Sequence, residues 1–270
     1  MENKKVTERK KKGSCFAWGA GCLAVFILIT SLTLNGILGL LFISFNSGSS
    51  ATTFGSRFEE IYESGGQKND SKIAVISIEG FMAHEATQEG LLGSGGNSIE
   101  SVIAQLKQAE EDDSVKAVVF DVNSPGGTTS AADSLYHSII SFKENTNKPI
   151  VASFGETAAS GAYYVSAPAD YIVAEPSSIV GSIGVIMTNF NIEGLLNKVG
   201  VEENVFKSGE LKDIFSSTRE MSDEEKEIIQ GIVDDSKTQF EGIVKEHRPI
   251  KPSSYNTIFD SRVFTAKQAL

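Results

Sequence analysis

Hydrophobic and polar positions change period several times along the chain. The segment KIAVISIEG (72–80) alternates and is rich in Ile and Val, which predicts a strand. In IESVIAQLKQAEED (99–112), Ile99, Val102, Ile103 and Leu106 fall at helical spacing and predict an amphipathic helix. KAVVFDVNSPGG (116–127) reads as a short buried strand ending in a Pro-Gly-Gly turn, followed by a helix to about Asn147. The pattern then repeats, with a strand at PIVASFG (149–155), a short helix of small residues at 158–169 and a strand at YIVAEP (171–176). A further strand is expected at 201–207. Ser222 followed by Glu225 is a capping-box signature, and Ile228, Ile229, Ile232, Val233, Phe240, Ile243 and Val244 mark one face of a long helix, which reads as structural. Alternating strands and helices predict an α/β fold with largely parallel pairing, whose ligands gather where strands end and helices begin.

One stretch carries no period at all. From Phe16 to Phe45 the chain runs 30 residues without a charge, more than the roughly 20 needed to span a bilayer as a helix. A cleaved secretory signal has a shorter apolar core, about 7–15 residues, so an uncleaved anchor is the expectation. Six bases lie within the first 12 residues, and such a run stays on the cytoplasmic side, placing the following domain on the outer face of the cell membrane. The layout expected is a basic cytoplasmic tail (1–12), a transmembrane anchor (13–45), a flexible Gly/Ser/Thr-rich tether (46–71) and an extracytoplasmic domain (72–270).

Composition narrows the chemistry. With 22% charged and 40% hydrophobic residues, the outer part is a packed globular domain rather than a disordered one. From Arg57 onward the chain holds 18 of the 24 bases and 33 of the 35 acids, a net charge of −15, which argues against nucleic acid as a partner. Both cysteines, Cys15 and Cys22, precede that domain, so it has neither disulfides nor thiol chemistry. His84, His137 and His247 are too scattered for a metal cluster. No cofactor is expected.

Three clusters of small residues stand beside predicted strands: NSPGG (123–127), TAASGAYY (157–164) and IVGSIGVIM (179–187). Ser160, between Ala159 and Gly161 at a strand-to-helix turn, is where a nucleophilic hydroxyl could stand, with N–H groups of the helix start aimed at its target. Small residues there equally permit tight helix packing, and the motif by itself leaves the two readings even. None of the three histidines is placed to complete a triad. The other base used with serine is a desolvated, neutral lysine, for which Lys212 in FKSGELKDIFSSTREM is the candidate, although most lysines are surface charges. Asp213 beside it would oppose catalysis if it faced the lysine, and is expected to point away.

The NSPGG turn, the AASGAYY serine, the GSIGVIM segment and KSGELKDIFSSTREM, in that order, resemble the signal peptide peptidase A family of membrane-anchored serine peptidases. That resemblance implies a Clp-protease/crotonase-like spiral α/β fold of repeated ββα units. It further implies a Ser/Lys dyad, with Ser160 as nucleophile, Lys212 as general base and Ser182 as the hydroxyl that orients the lysine. Backbone N–H groups of Gly126 or Gly127 and of Gly161 are the candidates for the oxyanion hole. The implied substrates are signal-peptide remnants and other unfolded segments, and the implied assembly is a homo-oligomer whose subunits share substrate grooves. The family pattern continues beyond a chain that here stops at SRVFTAKQAL, so truncation is expected. Two other readings stand beside it, an acyl-CoA-handling crotonase relative and a catalytically silent membrane scaffold.

Overall fold

The computed structural model describes residues 30–31, 58–65, 71–86 and 96–270. The chain divides into two compact units, Met1–Arg57 and Phe58–Leu270. The anchor expected at 13–45 lies, apart from Thr30 and Ser31, outside the described residues, and so does much of the tether. Among the described residues no helix is long and apolar enough to cross a membrane.

The second unit is built on a parallel β-α-β-α-β run. Strands β1 (Lys72–Met82), β2 (Val115–Gly127) and β3 (Ile150–Ala159) pair in sequence order, connected through α1 (Ile99–Glu111) and α2 (Thr129–Asn145). After a short α3 (Gly161–Ser166) the edge beyond β3 is shared by two strands. β4 (Tyr171–Ala174) pairs with Val151–Phe154, and β5 (Ile179–Gly181) pairs with Thr157–Ala159. β6 (Val263–Thr265) closes the sheet antiparallel to β5. The remaining helices are α4 (Glu193–Val199), α5 (Asp223–His247), α6 (Tyr255–Ile258) and α7 (Ala266–Ala269).

Alternation along the strands selects the covered face. Ile76, Ile78, Val118, Phe120, Val122, Ile150, Ala152 and Phe154 are buried together with Val102 and Leu106 of α1 and Leu135, Ile139 and Phe142 of α2. Each such large side chain contributes about 1.5–3 kcal/mol of burial. On the opposite pleat Ile73, Val75, Tyr171 and Val173 are exposed.

Four expectations change. The Pro-Gly-Gly segment is no turn, because β2 runs through it and pairs Gly126 with Phe81 and Gly127 with Met82. Register shifts at Glu79/Phe81 and Val122/Ser124 absorb the missing N–H of Pro125. The helix expected at 158–169 covers only Gly161–Ser166, since Ala158 and Ala159 remain in the β3–β5 ladder and Pro168 disfavours helix in the residue before it. The strand expected at 201–207 does not form; the segment is exposed and has no ladder to join. Finally, α5 carries the expected capping box, but of its apolar face it buries Phe240, Ile243 and Val244 and leaves Ile228 and Ile232 exposed.

Candidate active site

Ser160 stands at the joint between β3 and α3 with φ 52° and ψ −124°, a conformation that costs a non-glycine residue of order 1–3 kcal/mol. Three features hold it there. Its N–H donates to the Gly181 carbonyl at 2.9 Å, extending the β3–β5 ladder by one bond. Its carbonyl accepts the first intrahelical bond of α3, from the Tyr164 N–H at 3.0 Å. The end of β2 packs against it so closely that a Cβ on Gly126 (φ +100°) would lie 2.9 Å from the Ser160 Cβ and 2.7 Å from the Gly161 nitrogen. The residue is half-buried, and no hydrogen bond of its Oγ occurs among the described residues.

The backbone donors around it differ in what they already do. The Gly126 N–H donates to the Ser124 Oγ at 3.1 Å, and that buried hydroxyl in turn donates to the Gly80 carbonyl at 2.6 Å. Gly161 is the first residue of α3, where a backbone N–H has no intrahelical carbonyl to meet. A Cβ on Gly161 would lie 3.2 Å from the Gly127 nitrogen, so Gly161 and Gly127 face one another across the β2–α3 junction. Gly127 is closed in from behind, since a Cβ there would reach 1.9 Å from the Met82 carbonyl oxygen.

Strain recurs one strand away. Ser182 has φ 53° and Ser261 φ 69°, and with Ser160 they are the positive-φ residues other than glycine among the described residues. They form one strip. Gly181 accepts from Ser160, the next residue Ser182 donates its N–H to the Arg262 carbonyl at 2.8 Å, and the Ser261 Oγ donates to the Ile183 carbonyl at 3.2 Å. Ser261 is not legible in the sequence as part of this strip, because nothing in DSRVF signals that β6 returns beside β5. Its setting between Asp260 and Arg262 is a common turn composition and says no more than that.

Ser160, Ser182, Gly126, Gly127 and Gly161 thus come together, while Lys212 does not. It sits in a 3-10 turn, Glu210–Asp213, exposed, with no side-chain hydrogen bond among the described residues and none to Ser160. Its neighbour Asp213 turns to Arg219 and Lys207, at 2.9 Å and 2.8 Å, and Arg219 foremost holds that carboxyl far below the usual carboxylate range. The three histidines are elsewhere: His84 pairs with Glu100, His137 with Asp133, and His247 lies 3.1 Å from the Tyr136 hydroxyl.

The pattern of the family described as Peptidase family S49 matches residues 143–270, a span that includes Ser160, Ser182 and Lys212. An Enterococcus faecium protein named for signal peptide peptidase SppA is 34% identical over 212 residues, covering 78% of this chain and 60% of its own. Protease 4 of Salmonella typhi is 32% identical over 197 residues, 73% of this chain and 31% of its own. The chloroplastic serine protease SPPA of Arabidopsis thaliana is 28% identical over 201 residues, again 73% of this chain, and 29% of its own. The chain therefore spans less than two thirds of the length of these relatives. With the S49 pattern running through the strained Ser160, Gly161 and Ser182, and with relatives that carry the names SppA and Protease 4, the chain belongs to the signal peptide peptidase A family of S49 peptidases.

Proposed function

We propose that this protein is a membrane-anchored serine endopeptidase that cleaves signal-peptide remnants and other unfolded segments at the outer membrane face. The observation that carries the reading is Ser160, held at φ 52° between the Gly181 carbonyl and the Gly126 backbone, its hydroxyl without a hydrogen bond among the described residues. Strain of that kind persists where the surrounding structure over-determines it, and it concentrates at reacting groups. The mixed α/β sheet with helices on one face is compatible with a crotonase-type spiral, and the uncharged run 16–45 supplies an anchor of sufficient length.

In this reading neutral Lys212 takes the proton from the Ser160 Oγ as the oxygen attacks a peptide carbonyl. The C–N bond breaks as the lysine ammonium protonates the leaving amine, and water then hydrolyses the acyl-enzyme by the same route. Ser182 orients the lysine through its hydroxyl. Gly161 and Gly127 are the preferred oxyanion donors, since the Gly126 N–H is engaged by Ser124.

Because Lys212 in one chain is exposed and unbonded to Ser160, the dyad closes when copies of the chain assemble. The run from Ile186 to Phe215, with Ile186 84%, Phe190 77% and Phe206 96% exposed, is the surface we assign to that contact. The deciding experiment is intact-mass detection of an adduct after exposure to a serine-acylating peptide warhead. An adduct on the full chain, lost in Ser160→Ala and in Lys212→Ala, is expected; an assembled wild type that forms none would overturn the reading.

A further inference from the structure

Among the described residues of one chain, the turn that carries Lys212 places no apolar side chain in the core. None of its four residues is buried, and residues 201–210 leading into it are exposed throughout. A base displaced by about 1 Å can lose on the order of 100-fold in rate, so before any contact with a second copy the turn has to be held within its own chain by polar contacts.

Charge does so, through one guanidinium. The Arg219 Nε donates to the Asp213 Oδ2 at 3.0 Å, while Nη2 donates to the Oδ1 at 2.9 Å and to the Asp213 carbonyl at 3.1 Å. On its other edge the Nη1 donates to the Glu225 Oε2 at 2.8 Å, and Nη2 reaches the Oε1. Glu225 is no loose partner, because its side chain is 3% exposed and its Oε2 also accepts the Ser222 N–H at 2.8 Å, forming half of the α5 capping box. From there α5 runs into the core at Phe240, whose ring packs 5.0 Å from that of Tyr164 on α3, the helix that Ser160 begins. Lys207 adds the last ties, from its Nζ to the Asp213 Oδ1 and to the Glu210 carbonyl, both at 2.8 Å.

Resting on the reading of Lys212 as the base, we propose that Arg219 is its positioning residue, clamping the turn Glu210–Asp213 to the buried capping box of α5. A planar fork suits this task because it meets two carboxylates in fixed directions at once, which a lysine ammonium does not. The same clamp occupies the Asp213 carboxylate, the acidic side chain next to Lys212 in the chain, which would otherwise be free to pair with the base and hold it charged.

The test uses the full-length chain with a fluorogenic peptide and a serine-acylating peptide warhead, comparing Arg219→Gln, Arg219→Lys, Asp213→Asn, Lys212→Ala and the double variant Arg219→Gln/Lys212→Ala. Expected are a fall of about 100-fold in kcat for Arg219→Gln and Asp213→Asn with KM within about threefold, and partial recovery in Arg219→Lys. In the double variant the residual kcat/KM on the fluorogenic peptide should equal that of Lys212→Ala, since a residue that acts through the base has no effect once the base is gone. Wild-type kcat in both Arg219→Gln and Asp213→Asn, or a further fall in the double variant, would overturn the proposal. Wild-type labelling of Lys212→Ala would instead remove the reading on which it rests, so the two failures are told apart.

Discussion

Ser160 and Gly181 are joined by a single backbone hydrogen bond of 2.9 Å, and through it the strained serine at the end of β3 is tied to the strained Ser182 that follows β5. Nearness in sequence does not explain this adjacency; the parallel pairing of Thr157–Ala159 with Ile179–Gly181 does. Both serines consequently stand at the same end of the sheet.

The first expectation concerns the dyad itself. Ser160→Ala or Lys212→Ala should lower kcat/KM by about 10⁴-fold or more, and the double variant should be no worse than either, as for residues acting as a unit. Ser182→Ala should be milder, about 10–100-fold in kcat, because it orients a base without transferring a proton. Steady-state rates on one fluorogenic peptide check all four.

Two glycines offer a matched comparison. Gly126→Ala places a methyl against the Ser160 Cβ and the Gly161 nitrogen at φ +100°, so it should cost about 1–3 kcal/mol of stability and abolish turnover. Gly231→Ala meets nothing within 4 Å inside α5, and should gain about 0.5–1 kcal/mol with activity unchanged. Thermal unfolding paired with turnover separates the two.

Acid should act on α5 at both ends. Burial holds the His247 imidazole below its ordinary pKa, so the folded state binds protons less readily than the unfolded chain, and stability falls as pH drops below about 6.5. His247→Gln should therefore lose about 2 °C less in Tm between pH 7 and pH 5 than wild type does. At the other end Arg219, with the capping N–H of Ser222, holds Glu225 down to about 2. Its stabilisation is fully present above the unfolded carboxyl value and is lost as pH falls toward 2. Glu225→Gln should show a lower Tm than wild type at pH 7, with the gap closing in acid; Tm curves from pH 7 to pH 2 measure both.

Assembly supplies the remaining expectation. Phe206→Glu, at a side chain 96% exposed, should leave the fold and Tm within about 2 °C of wild type, while sedimentation shows dissociation and peptide turnover falls with it. Activity retained in a monodisperse single chain would contradict a dyad closed between copies.

Periodicity and punctuation marked much of this molecule in the linear chain. The alternation in KIAVISIEG, the helical spacing of Ile99, Val102 and Leu106 and the Ser222–Glu225 pair are local signals with a single physical meaning, and β1, α1 and the α5 cap appear where those signals stand. The small-residue clusters at 123–127, 157–164 and 179–187 likewise locate the backbone that crowds Ser160, because only residues without bulk allow strands and a helix start to approach so closely. What the tertiary structure alone decided depends on partners remote in sequence. Pro125-Gly126-Gly127 stays in a strand because Phe81 and Met82 lie alongside it, whereas 201–207 stays outside one because nothing does. Ser261 joins the strained strip through β6, and Asp213 faces Arg219 rather than Lys212 through a clamp centred on a buried glutamate. Local sequence sets the preferences of a segment, but which carbonyl, carboxylate or strand edge arrives beside it is settled by packing, and there the energies of many contacts outweigh the signal of a few residues.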